Sequence, residues 1–165
     1  MKRRADSFDD FFPGAMEDGL LVPFMHRGAW AIHTALSLFL EKAGPSDVSL
    51  MTFNISEDSI RSIFFEERIR SLRMLLDLGI KRNKIDLLLF LSSVAPDIRL
   101  DRTHAKLLLI HNDQNDFGIM GSANLNQVSR LESGIWFTRG PVFDYFQTQF
   151  DDLYENALPY DATKD

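Results

Sequence analysis

Apolar and polar positions alternate along this chain with two different periods. Between residues 28 and 43 the apolar positions Ile32, Ala35, Leu36 and Phe39 recur at helical spacing, and Gly44-Pro45 stops the run. Val48 to Asn54 reads as a strand. Ser56 is a good N-cap, and Glu57 and Asp58 sit in the first turn where the helix dipole favours carboxylates. Ile60, Phe64, Ile69, Leu72, Leu75 and Leu76 then keep a helical period. This predicts one bent helix or two, with Gly79 as C-cap.

Ile85 to Leu91 is almost wholly apolar, and its length predicts a strand buried on both faces. Asp97 to Leu100 predicts a short strand. Ala105 to Ile110 and Phe117 to Met120 predict a hairpin around a polar turn, and Ile135 to Thr138 a further strand. After Gly140-Pro141, the positions Phe143, Phe146, Phe150, Leu153 and Ala157 mark an amphipathic C-terminal helix. This order predicts an α/β layered domain, a mixed β-sheet flanked by helices. Residues 1–18 are acidic, rich in phenylalanine (Phe8, Phe11, Phe12) and broken at Pro13-Gly14. They read as an N-terminal arm, and residues 19–165 as a single domain.

Composition narrows the chemistry. The 165 residues are 45% hydrophobic and contain no cysteine, which removes disulfides, thiolate metal sites and cysteine nucleophiles. A reducing, cytoplasmic setting fits. No apolar run approaches the roughly 18 residues of a membrane span, and Lys2, Arg3 and Arg4 precede acids rather than an apolar segment. Neither a signal peptide nor a span is expected. The net charge of −6 is unevenly spread: residues 61–84 hold seven basic and three acidic side chains, and residues 141–165 one basic and six acidic. The basic segment reads either as a solvated helix face or, with Arg130, as a basic channel that focuses a nucleic acid strand. Zinc, P-loop and dinucleotide motifs are all missing, so no cofactor is expected.

One stretch concentrates the remaining chemistry: His104-Ala105-Lys106, then the hairpin, then Gly121-Ser122-Ala123-Asn124, then Glu132. In a strand, His104 and Lys106 lie on one face, about two rises of 3.3 Å apart. That separation lets both meet one phosphate, the histidine attacking phosphorus and the lysine neutralising its oxygens. Gly121 allows close backbone approach or unusual dihedrals. Ser122 and Asn124 add neutral donors.

H-x-K followed by G-S-x-N resembles the phospholipase D superfamily, matched here by His104, Lys106, Gly121, Ser122 and Asn124. Glu132 stands where that family often places an acid that orients the histidine. The family pattern has an aspartate after the four residues that follow the lysine; this chain has His111 there, followed by Asn112 and Asp113. Asp113 or Asp116 could take its place by a shift. The resemblance implies metal-independent, two-step phosphodiester hydrolysis. One histidine forms a phosphohistidine, and a second protonates the leaving oxygen and then activates water. The phosphate is held by Lys106, Ser122, Asn124 and Gly121.

Only His104 among the four histidines is followed by x-Lys, so one chain supplies half a site. The resemblance therefore implies a C2 homodimer with a shared centre, as in short single-motif bacterial members, which are commonly nucleases. Nucleic acid is the expected substrate. A phospholipid or small phosphodiester is the alternative within the enzyme class. A phosphodiester-binding or assembly module without turnover, marked by His111, is the alternative outside it. His26, near Arg27 and Gly28, is a candidate for a substrate-side role or a plain structural histidine. His33 and the tryptophans Trp30 and Trp136 read as core.

Overall fold

The computed structural model describes residues 17–95, 97–125 and 129–161; nearly all of the expected N-terminal arm lies outside them. Eight strands form one sheet: β1 (Leu21–Arg27), β2 (Ser46–Thr52), β3 (Ile69–Asp77), β4 (Ile98–Asp101), β5 (Leu107–His111), β6 (Asp116–Gly121), β7 (Leu131–Thr138) and β8 (Leu158–Pro159). Their spatial order is β1-β7-β6-β5-β2-β3-β4-β8. The pairs β2·β3 and β3·β4 are parallel, and the rest antiparallel. The helices are α1 (Ile32–Ala43), α2 (Glu57–Phe64), α3 (Gly79–Asn83), α4 (Ile85–Val94) and α5 (Pro141–Asn156). The mixed α/β layering expected from the element order is the architecture found.

Parallel neighbours explain where the helices lie. A strand that runs parallel to its predecessor needs a crossover, and right-handed crossovers that step the same way put their helices on one face. Hence α2 and α4, joined by α1, cover one face with Ile60, Ile63, Leu88, Leu91, Leu36 and Phe39. The opposite face carries α5, whose Phe143, Phe150 and Tyr154 pack on Leu107, Leu109 and Phe137.

Two expectations are overturned here. The helical period over Ile69–Leu76 is a strand, β3. It is central and covered on both faces, Met74 and Leu76 packing under α2 and α4 and Leu75 under α5. Its apolar run therefore carries no period of two. Conversely, the apolar run Ile85–Leu91 is not a strand but most of α4. Leu88 and Leu91 are buried and Leu89 is half-exposed, a helical face that a short run conceals. Two strands had no forecast at all, the two-residue β8 and the longer β1. β1 alternates Val22, Phe24 and His26 inward with exposed Leu21, Pro23 and Met25. Its Pro23 is tolerated because β1 is an edge strand.

Gly79, expected as a C-cap, instead opens α3 after β3, but several other local forecasts hold. Ser56 caps α2 through its hydroxyl, which accepts from the Ser59 N–H. Gly44, at φ 78°, ends α1, and Pro141 opens α5. The register of β5 against β2 pairs Met51 with Leu107 and Asp47 with His111. Residue 106 thus lies at the end of the sheet where β2 finishes, and residue 111 where β2 begins.

Candidate active site

The six residues marked in sequence converge at that first end. His104 and Lys106 lie just before β5, and Gly121 ends β6. The Gly121 N–H donates to the Lys106 carbonyl at 3.2 Å, which locks the two motif halves together. Gly121 serves close approach rather than an unusual dihedral: a Cβ there would lie 2.6 Å from the Ser133 carbonyl oxygen. With β6 held that near β7, the Ser122 N–H donates to Ser133 O at 2.9 Å. The Ser122 hydroxyl then donates to Glu132 Oε2 at 2.5 Å and accepts from the Ser133 N–H at 3.0 Å.

His104, Lys106, Ser122, Asn124 and Glu132 all line one cavity of about 400 Å³, together with Phe53, Asn54, Arg130 and Leu131. Gly121 lines an adjoining, shallower cavity of about 710 Å³ that shares His104, Lys106 and Ser122. Lys106 is 5% exposed. Its ammonium donates to the His104 carbonyl at 2.5 Å and lies 3.0 Å from His104 Nδ1. Burial pushes the Lys106 pKa below the ordinary 10.5, and the charge of Glu132 only partly opposes this. Among the described residues Lys106 holds no ion pair. A buried cation kept without a carboxylate partner is costly, and it is poised for an anion.

Asn124 Oδ1 is buried with no hydrogen-bond partner among the described residues. Rotation about the last side-chain bond would present the amino group there instead, so the position can offer a donor. A second under-satisfied group at the same cavity reinforces the reading of an anion site. Among the described residues no three His, Asp or Glu side chains gather as a metal-binding cluster.

The structure departs from the sequence reading in three places. Glu132 bonds to Ser122, and no hydrogen bond joins it to His104. It instead stands in register opposite His26 across β1 and β7. His26 is buried between Phe24 and Trp30 and accepts the Ala29 N–H at Nδ1. Burial lowers its pKa, again with Glu132 pulling the other way.

Second, four arginines of the basic segment 61–84 are taken up in ion pairs, while Lys81, Arg82 and Lys84 follow β3 at the site end of the sheet. Arg61, Arg68, Arg70 and Arg73 pair with Glu57, Glu66, Asp47 and Asp151. Arg68 and Arg70 sit at the start of β3, at the far end of the sheet from Lys106. Third, His111 is far from the chemistry. Five strand residues at about 3.3 Å each put it roughly 16 Å from Lys106.

Sequence reasoning missed Phe53, whose ring centroid lies 4.6 Å from that of His104 and 5.4 Å from Lys106 Nζ. Its only signal was a phenylalanine near the end of the predicted Val48–Asn54 strand. No family model matches the chain, and no curated protein matches it in sequence. Solved structures do match. Nuc from Salmonella typhimurium, a phospholipase D family member, aligns with a TM-score of 0.66 at 11% identity, over 88% of this chain and 100% of that one. NucT from Helicobacter pylori gives 0.63 at 12% identity, over 86% and 100%. TrmBL2, an archaeal chromatin protein with a novel mode of DNA binding, gives 0.57 at 16% identity, over 92% of this chain and 58% of that one. The fold is therefore the phospholipase D-like one, here with a mostly antiparallel sheet of eight strands.

Proposed function

We propose that this chain is a metal-independent phosphodiesterase of the nuclease kind, with His104 as its nucleophile and residues 19–165 as the catalytic unit. The observation that carries the reading is the buried Lys106 ammonium, which holds no ion pair among the described residues and lies 3.0 Å from His104 Nδ1 in a cavity that also holds Asn124. That this fold is shared with Nuc and NucT supports it. The absence of cysteine suits work in the reducing cytoplasm.

The chemistry balances on this chain's own groups. A His104 ring nitrogen attacks phosphorus, and the bond from phosphorus to the leaving oxygen breaks. His104 of a second copy protonates that oxygen. The same imidazole then takes a proton from water, which attacks the phosphohistidine and frees the first ring. Lys106, Asn124 and Ser122 hold the phosphate oxygens as charge develops on them. The Lys106 ammonium transfers its hydrogen bond from the histidine to the phosphate.

The second copy completes the site in this reading. An apolar rim at the cavity mouth supports it. Met25 is 63% exposed, Leu131 55% and Met120 41%, on the part of the sheet that α5 leaves bare. Release of nitrophenolate from bis(p-nitrophenyl) phosphate in EDTA tests the whole scheme. Turnover is expected to survive EDTA and to fall by about 10³-fold or more in His104→Asn, while the melting temperature of this exposed-site variant stays put. Loss of turnover in EDTA, or a fully active monomer by sedimentation, overturns it. A second reading, DNA binding without turnover, draws on TrmBL2, which shares the fold. Tight DNA binding with no cleavage of either substrate would decide for that reading.

A further inference from the structure

Phe53 is an anomaly at the site. It follows β2, a strand whose last residues are buried, yet it is itself 41% exposed. Its ring leans on His104 and Lys106 and forms one wall of the 400 Å³ cavity. That volume falls in the range of small-ligand pockets, about 300–1,000 Å³. A phosphate would fill only a fraction of it, which leaves room beside the scissile group for a larger one.

The same cavity supplies a second clue. Arg130 is exposed, lines the same cavity and holds no ion pair among the described residues. Arg27 and Arg102, at the same end of the sheet, are also exposed and hold no ion pair among the described residues. The arginines at the far end are all paired. An aromatic face next to a phosphate site, with a free guanidinium beyond it, matches one repeating chemistry: base, phosphate, next phosphate.

We propose that Phe53 is the platform on which the base beside the scissile phosphate stacks, with the neighbouring phosphate at Arg130. The substrate is then single-stranded nucleic acid, because a base can lie on Phe53 only after leaving a duplex stack. This inference rests on the phosphodiesterase reading above and names its substrate class. Asn54, on the same wall, is placed to meet a base edge.

The test is equilibrium binding, by fluorescence anisotropy, of a short single-stranded DNA and of the same strand made abasic throughout. Wild-type protein is expected to prefer the base-bearing strand by about tenfold, the effect of one base–aromatic stack. Phe53→Leu, which keeps apolar packing under Lys106, is expected to erase that preference without weakening abasic binding. Phe53→Trp is expected to restore it, and thermal melting confirms that each variant folds. Equal wild-type affinity for both strands overturns the platform. So does a parallel loss of both in Phe53→Leu, or tighter binding of the matching duplex.

Turnover of bis(p-nitrophenyl) phosphate, measured alongside, separates the two readings. Base-dependent binding without turnover would keep the platform and remove the enzyme. Turnover without base dependence would keep the enzyme and remove the platform.

Discussion

At the turn end of the β5–β6 hairpin, His111 and Arg139 share the Asp116 carboxylate at 2.6 and 2.8 Å. At the open end, His104 and Lys106 have no carboxylate between them, and the one nearby, Glu132, is turned to Ser122. One hairpin thus carries two histidine clusters of opposite construction. At the turn end the buried Asp116 carboxylate is matched by two cationic partners. Among the described residues, the open end leaves a buried ammonium without an ion pair and a buried amide oxygen without a hydrogen bond. Satisfied networks hold structure in place, whereas unsatisfied groups around a cavity wait for a ligand. The departure from the phospholipase D pattern, His111 for aspartate, falls at the satisfied end. It therefore argues against impaired chemistry less by identity than by location.

The largest effect that could break this contrast is at Lys106. Lys106→Met is expected to cut turnover by about 10²–10³-fold with no loss of stability, because an apolar side chain replaces an unpaired buried cation. The two properties also respond oppositely to pH. Activity needs the ammonium, so its alkaline limb should fall below the ordinary lysine value of 10.5, since burial lowers the pKa. Stability runs the other way. Above the lowered pKa the unfolded chain still binds the proton that the folded chain has released. Wild type therefore gains stability over Lys106→Met as pH rises toward 10.5, then gains no more. A pH–rate profile and urea melts at matched pH check both. A Lys106→Met protein that melts earlier at neutral pH would show that the lysine is structural.

At the turn end the expectation reverses. Burial alone would raise the Asp116 pKa, but hydrogen bonds from Arg139 and His111, with their charges, outweigh it and hold it below 3.8. A carboxyl lowered by folding contributes stability above its unfolded pKa, and that contribution is lost as pH falls through the lowered value. Asp116→Asn should cost about 1.5 kcal/mol at neutral pH, the low end for hydrogen bonds to charged groups. The low end applies because His111 is 52% exposed and screened. The deficit should shrink as the pH drops below 3.8. Turnover per folded molecule should not change. A large loss of activity in Asp116→Asn would erase the distinction between the two ends.

How far the sequence made this visible differs by element. The site was legible because its residues are local: H-x-K and G-S-x-N flank one hairpin, and hairpin register follows from the turn. The β3 and α4 assignments were exchanged because β3, covered on both faces, shows an accidental helical spacing, while α4 begins as an almost unbroken apolar run. Only the crossovers, a non-local fact, decide which of them is helix. β1 went unseen because its alternation includes Pro23 and a polar inward residue, His26. The partner of Glu132 was misjudged for a related reason. Whether an acid reaches a histidine or a serine depends on the approach of β6 to β7, which Gly121 sets and spacing alone does not encode.

The smallest effect is the sharpest probe of the contrast, because it restores the family's aspartate. In His111→Asp the new carboxylate would stand directly opposite Asp116 on β6 and in register with Asp47 on β2. Like charges facing each other across strands destabilise, here by up to about 1 kcal/mol, and Asp116 would keep only Arg139. The expected outcome is a slightly lower melting temperature with turnover of bis(p-nitrophenyl) phosphate within about twofold of wild type, as suits a surface change remote from the chemistry. The deficit should ease at high salt, which screens exposed charges. A rise in turnover would mean that the turn end reaches the chemistry after all, across roughly 16 Å of strand. His111–Asp116 would then be a fault in the site rather than a structural clasp for the hairpin.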